Sequence, residues 1–260
     1  AHELPELAAA GIDEIVLLPA SATTIAGAWR RVSDTTAAGG ARLHHPNQNA
    51  AKLAAALGSP VNYFELTFEA DAGKPYRLWM RAAAEGNAWN NDSVFVQFSG
   101  TVDSAGAPAL RIGTTSSTTM NLEEDSNAGV SGWGWQDNGW GTGVMGATLT
   151  FATPGLHTLR VQTREDGVAI DQIVLSAAQY LRAAPGPMKN DATLLAAGTT
   201  VTTEPEPAPA PSAPAEIVMH AANVSSAALH GNWTIVSDVS AAGGVALLNA
   251  DKGAAKLTAA

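Results

Sequence analysis

The chain has 260 residues, 46% of them hydrophobic and only 15% charged, and its 24 acidic against 14 basic side chains give a formal net charge of −10. That much apolar content can bury a core and excludes wholesale disorder, while the acidic balance and scattered Lys and Arg exclude a phosphate-binding surface and hence a nucleic-acid partner. Cys is absent, which removes disulfide and thiolate chemistry, and no apolar run approaches the ~18 residues of a membrane span.

Residues 1–13 read as a lead-in, with Leu4, Leu7 and the Ala8-Ala9-Ala10 run at weak helical spacing. From residue 14 the pattern becomes β. Residues 61–68 are aromatic and β-branched, Asp71-Ala72-Gly73-Lys74-Pro75 supplies a turn, and residues 76–81 come next as a second strand. Alternation puts Tyr76, Leu78 and Met80 on one face of that strand and Arg77, Trp79 and Arg81 on the other. Trp79 is then either a platform on the sheet face or a ring covered by the long loop. Further strands are expected at 94–98, 109–112, 147–151, 156–163 and 169–175, with Thr153-Pro154-Gly155 as a turn and Arg164-Glu165-Asp166-Gly167 as a charged hairpin turn. Short alternating runs between Gly, Pro and Asp turns predict an all-β, antiparallel sandwich over 14–182. One long insertion, 113–146, is rich in Gly, Ser, Asn and Trp, and loops of that length usually carry function or a partner.

Beyond Leu181 the alternation fades, and 183–215 reads as an extended linker whose Glu204-Pro205-Glu206-Pro207-Ala208-Pro209 run is of polyproline type. The segment beyond the linker repeats the beginning of the chain. Trp29-Arg30-Arg31-Val32-Ser33-Asp34 and Ala37-Ala38-Gly39-Gly40 return as Trp233-Thr234-Ile235-Val236-Ser237-Asp238 and Ala241-Ala242-Gly243-Gly244. Across 29–56 and 233–260, 15 of 28 positions are identical, enough to mark 216–260 as the opening of a second copy of the module. The repeat also sorts residues. Trp29 recurs as Trp233, which assigns it to the fold, whereas His44-His45 become Leu248-Asn249, so neither His is required by the module and both are expected at the surface.

Three stretches together resemble the galactose-binding-like jelly rolls of carbohydrate-binding module families 6 and 35. They are Gly27-Ala28-Trp29 to Gly39-Gly40; Phe64-Glu65-Leu66-Thr67-Phe68 with Tyr76-Arg77-Leu78-Trp79-Met80-Arg81; and Pro154-Gly155-Leu156-His157-Thr158-Leu159-Arg160 with Ile170-Asp171-Gln172-Ile173-Val174-Leu175. The resemblance covers roughly 14–176 and implies a jelly-roll sandwich. It also implies a structural calcium ion held by acids of the first strand, but this chain has Leu18-Pro19-Ala20 there and retains an acid only at Asp171.

Two loops carry the residue types that hold sugars. Flat aromatic rings stack on the apolar faces of pyranoses, and Asp, Asn and Gln bond their hydroxyls. Trp133, Trp135, Gln136, Asp137, Asn138 and Trp140 supply both on one loop, and Trp89, Asn91 and Asp92 on another. The competing reading is that these rings pin a Gly-rich loop onto the core. No cofactor is expected. Asn121-Leu122-Glu123-Glu124-Asp125 offers oxygen ligands for calcium but lacks EF-hand spacing. No Gly-x-Ser-x-Gly elbow or His-Glu-x-x-His motif is present, so the chain is not expected to be an enzyme. Two functions remain. One is a secreted, extracellular module that binds a polysaccharide or glycan. The other is a structural subunit of an extracellular filament or adhesin, in which residues 215–260 associate with a neighbouring copy through strand addition, because two or three strands alone leave edges unpaired.

Overall fold

A computed structural model describes residues 11–202, 220, 223–250 and 253. The helical spacing expected at 4–10, the Pro-rich run and the repeat's flanks near 216–219 and 254–260 lie outside these residues. The chain divides into two units, 1–204 and 205–260.

The first unit contains β1 (Gly11–Leu17), β2 (Thr24–Ala26), β3 (Arg30–Ser33), β4 (Ala41–His44), β5 (Tyr63–Ala70), β6 (Arg77–Ala84) and β7 (Ser93–Phe98). It continues with β8 (Thr101–Val102), β9 (Thr118–Asn121), β10 (Gly134–Asp137), β11 (Thr150–Phe151), β12 (Gly155–Thr163), β13 (Val168–Ser176) and β14 (Gly198–Thr202). One sheet runs β10-β6-β13-β1-β14, with β4 joined to β13 and β3 to β4; the facing sheet runs β2-β5-β12-β7-β9. The named strand pairs are antiparallel. This is the antiparallel β-sandwich expected from the sequence.

Alternation builds the core. In β5, Phe64, Leu66, Phe68 and Ala70 are buried while Glu65, Thr67 and Glu69 are not, and they meet Leu78, Met80, Ile173 and Leu175 of the opposite sheet. Burying such side chains supplies about 1.5–3 kcal/mol each. Trp29 lies within this core, edge-on to Phe64 at 5.0 Å and to His45 at 5.5 Å. His45 is therefore buried rather than at the surface, because the chain beyond β4 folds back over the core; its neighbour His44 reaches Glu85 at 3.2 Å.

β13 is buried along its whole length, which a two-layer sandwich with one solvent face would not require. The cause is a second apolar cluster on the outer face of the β6–β13 sheet, formed by Val16, Trp79, Trp135 and Val174 with Tyr180 and Leu195 packed against it. Residues beyond Leu181, expected in the linker, thus cover the sheet. Trp135 N–H donates to Pro187 O at 3.0 Å, Gln172 Nε2 donates to Leu195 O at 2.8 Å, and β14 pairs with β1.

The long insertion also departs from expectation, since it contains β9 and β10. The expected strand at 109–112 is absent, replaced by isolated bridges at Pro108 and Arg111. Only Thr150–Phe151 of the expected 147–151 strand forms.

In the second unit, β15 (Trp233–Ser237) and β16 (Val245–Asn249) make an antiparallel hairpin. Its turn matches that of the β3–β4 hairpin bond for bond. Asp34 N–H donates to Gly40 O and Asp238 N–H to Gly244 O, both at 3.0 Å, and Thr36 and Ser240 hydroxyls each donate to the turn Asp at 2.6 Å. The environments differ: Trp29 is 2% exposed, and its counterpart Trp233 is 47% exposed.

Candidate functional site

The residues expected to hold a sugar separate into three groups. Trp133 and Trp135 are buried and offer no free ring face. Trp135 pairs across β10–β6 with Arg81 and lies in the outer cluster. Trp133 takes the Arg81 guanidinium on its ring at 4.9 Å and donates its indole N–H to Thr36 Oγ1 at 3.0 Å. Both rings fasten the insertion to the sheet, which corrects their assignment to sugar contact. The reason is parity. Asp137 pairs with Trp79 and Trp135 with Arg81, so these rings join the Arg77–Trp79–Arg81 face, where Tyr180 and Leu195 cover Trp135 and the Thr36–Ala37 turn covers Trp133.

Gln136, Asp137, Asn91 and Asp92 are also buried. Gln136 donates to Leu122 O at 3.1 Å, and Asn91 donates to Glu85 O at 3.1 Å beneath Gly167. Gly167 has φ +81° and a Cβ there would meet the Asn91 amide carbon at 2.6 Å, so the turn closes only with glycine. Asp137 organises the loop after β10, accepting Gly139 N–H at 2.8 Å and Gly146 N–H at 3.0 Å, with Arg77 at 3.6 Å. Asp92 has both carboxylate oxygens buried without a hydrogen-bond donor. Burial first, and then the adjoining Glu165 and Glu123 carboxylates, push Asp92 up to about 8. Glu165 goes the other way. Burial raises it, but hydrogen bonds from Lys52 (2.7 Å) and Ser93 outweigh that and hold it below its ordinary range. Asp92 therefore carries the proton of this pair at neutral pH and Glu165 the charge.

Trp140, Trp89 and Asn138 form the third group and line open clefts. Trp140 is 52% exposed beside a cleft of about 500 Å³ that is also lined by Thr118, Asn121, Asn138, Lys52 and Arg164. Trp89 is 65% exposed beside a second cleft of about 290 Å³, lined by Asn47, Asn49, Asn90, Asp166 and again Lys52. Lys52, which spacing did not single out, is thus common to both.

The walls are held by hydrogen bonds. Asn138 Nδ2 donates to Thr118 Oγ1 at 3.1 Å and to Ala147 O at 3.2 Å. Glu124 and Asp125, in the acidic stretch weighed for calcium, hold the Trp140 loop instead: Gly141 N–H donates to Glu124 O at 2.7 Å, Gly143 N–H to the Glu124 carboxylate, and Thr142 Oγ1 to Asp125 Oδ2 at 2.5 Å. On the other side Asp166 accepts Gln48 N–H at 2.6 Å and Ala50 N–H at 3.0 Å, and Arg164 donates to Ser93 Oγ at 2.8 Å.

The calcium implied by the family resemblance does not fit. Asp171 is the extra residue at a bulge where the β13–β6 register shifts between Ile170 and Gln172. Its Oδ2 accepts Ala38 N–H at 2.8 Å and the Arg81 guanidinium, which also holds Asp191 at 2.6 Å. A fully buried cation of the chain itself occupies the partner position of that acid. Among the described residues no group of three His, Cys, Asp or Glu could hold a metal ion.

The chain is similar to several solved structures. It matches a GH26–CBM35 β-(1,4)-mannanase from Podospora anserina at 12% identity and TM-score 0.39, over 64% of this chain and 28% of that one. It matches a family 35 carbohydrate-binding module from Clostridium thermocellum at 15% identity and TM-score 0.34, over 62% and 98%. It matches the C-terminal CBM6 of a marine laminarinase from Zobellia galactanivorans at 11% identity and TM-score 0.37, over 63% and 99%. The chain therefore spans little more than a quarter of the mannanase, and nearly all of each isolated module. No family model and no curated protein matches it.

Proposed function

We propose that this chain is a secreted, non-catalytic carbohydrate-binding module of a larger modular protein, and that its site is the cleft beside Trp140. The observation that carries the reading is the open Trp140 ring beside about 500 Å³ of space lined by amide and hydroxyl side chains on a loop fixed from beneath. An exposed Trp gives up much apolar area to water, and stacking on a sugar face recovers it. The fixed walls limit the ordering entropy lost on binding. The sequence resemblance to families 6 and 35 points the same way. No pair of open carboxylates flanks the cleft, as glycoside hydrolysis would need, since Asp92 and Asp137 both serve the fold. Trp89 and the smaller cleft extend the site for a polymer. A glycan array of the whole chain tests this: wild type retains at least one polysaccharide and Trp140→Ala loses it, whereas equal retention by both would sink the reading.

A second reading, assembly into an extracellular filament or adhesin, is favoured by the β15–β16 hairpin. Trp233, Ile235 and Leu248 are 47%, 42% and 48% exposed, whereas Trp29, the counterpart of Trp233, is buried; Arg31 and His44, at the positions of Ile235 and Leu248, are not. A second copy of the chain is the occupant that this similarity suggests, because the same hairpin in the first unit sets Trp29 and Leu43 into a sandwich core.

A further inference from the structure

The edge of a β-sheet is open to a further strand, because its outer row of N–H and C=O groups is unmatched within the sheet. Most edges of this sandwich are closed or guarded. The tail lies along the β10 edge, where Pro187 O accepts Trp135 N–H at 3.0 Å, and Asn190 and Asp191 N–H donate to Ser131 O and Trp133 O at 2.8 Å. β9 lies beside the Trp140 loop, with Asn138 Nδ2 bonded to Thr118 Oγ1 at 3.1 Å. β3 carries Arg30 and Arg31. β2 is three residues long, and the Arg31 guanidinium bonds Ala20 O and Ala22 O just before it.

β14 has none of these guards. Among the described residues it pairs on one side only, with β1, and it ends the order β10-β6-β13-β1-β14. Its residues, Gly198-Thr199-Thr200-Val201-Thr202, include no charge and no Pro, and Gly198, Thr199 and Thr200 are exposed. Thr and Val suit a pleated edge. The uncharged stretch runs from Ala192 to Thr203 in a chain of net charge −10, so a second acidic copy can lie along β14 with no like charges set opposite one another. Beyond it in sequence come Glu204 and Pro205, a charge and a residue without an N–H, which limit such pairing to a short run.

We infer that β14 pairs antiparallel with β14 of a second copy about a two-fold axis at Thr200, joining two sandwiches through one continuous sheet. The strand is self-complementary in that register. Gly198 faces Thr202, Thr199 faces Val201, and Thr200 faces its own copy, a Thr–Thr pair of the kind that stabilises antiparallel ladders. The contact is isologous and uses up the free edge, so growth stops at two, unlike a filament built through the hairpin. It holds whichever ligand the Trp140 cleft takes, and it doubles the number of clefts per particle. A contact this short is weak, with a dissociation constant on the order of 0.1 mM.

The test is sedimentation velocity of the whole chain carrying Trp233→Ser/Ile235→Ser, which silences the hairpin. Dimer is expected to replace monomer between about 10 μM and about 1 mM, and more readily in half-molar NaCl, which screens the two net charges. Thr200→Lys sets two cations on the axis and should weaken the dimer about tenfold at unchanged melting temperature, since the Thr200 side chain is exposed. The chain has no Cys, so Thr200→Cys gives each copy a single thiol. Under mild oxidation it should cross-link about fivefold faster than Thr199→Cys, which faces Val201 rather than its own copy. A monomer at the highest concentration, or a dimer that Thr200→Lys leaves intact, overturns the inference. Equal cross-linking of the two Cys variants overturns the register and the two-fold pairing with it.

Discussion

Trp133 and Trp140 come from the same Gly-rich stretch, but one ring is sealed beneath an arginine and the other stands open beside a cleft. Their substitutions should separate cleanly. Trp133→Ala removes a packed ring and its cation–π contact, and is expected to cost about 3–5 kcal/mol in chemical denaturation. Trp140→Ala should stay within about 0.5 kcal/mol of wild type while losing ligand. Asp92 makes a different prediction. Its folded value near 8 lies above its ordinary 3.8, so the stability it contributes is fully present below pH 3.8 and is lost as pH rises towards 8. Glu165, held low, contributes in the opposite sense, losing its stabilisation as pH falls through its folded value. Above pH 8 two carboxylates are charged in contact, and Asp92→Asn removes one. The variant should be more stable than wild type at pH 9 by about 1–3 kcal/mol, with a flatter slope between pH 4 and 8. A wild-type advantage at pH 9 would contradict the proton assignment.

The strands that alternate are legible in the sequence, and those that do not are not. β5 and β12 have period-two patterns and lie within two residues of their expected bounds. β9 and β10 are four residues each within a stretch full of Gly, Ser and Asn, and their pairing with β7 and β6 is settled by tertiary contact rather than local preference. β14 reads Gly-Thr-Thr-Val-Thr, which has no apolar face, so its place beside β1 has no local signal. The candidate site is legible by composition, as Trp with Asn and Asp, but not by exposure. Reading 133–137 as strand would have put Trp133, Trp135 and Asp137 on one face and singled out Trp140 beyond its end. The loop itself depends on backbone contact. A Cβ on Gly139 would meet Val144 O at 2.0 Å, so Gly139→Ala should displace the loop and weaken ligand binding with β10 still paired. Amide exchange that rises in 139–146 and not in 134–137 is the expected result; unchanged exchange and affinity would contradict a fixed loop.

At the level of the whole molecule, the sandwich and the hairpin unit share one turn motif in two environments. The residues that the first copy buries at Trp29 and Leu43 return as Trp233 and Leu247 on a hairpin whose apolar side chains are half open. If that hairpin docks on a second copy, sedimentation velocity should show association beyond a pair that grows with concentration and is lost in Trp233→Ser/Ile235→Ser; nothing larger than a pair would contradict assembly. Sugar binding and assembly use different units, so either test stands without the other. Where the resemblance implies calcium beside Asp171, the chain places its own cation. The Arg81 cation bridges Asp171 and Asp191, and a chelator should leave the sandwich's melting temperature unchanged.

The central claim is that a single open ring beside one polar cleft makes this sandwich a sugar binder. Its most direct test is calorimetric titration of wild type and Trp140→Ala with the polysaccharide that the wild type retains. The account predicts saturable binding by the wild type and at least a tenfold loss in the variant at equal thermal stability. Equal affinity, or binding lost only where Trp133 or Trp135 is replaced, would contradict it.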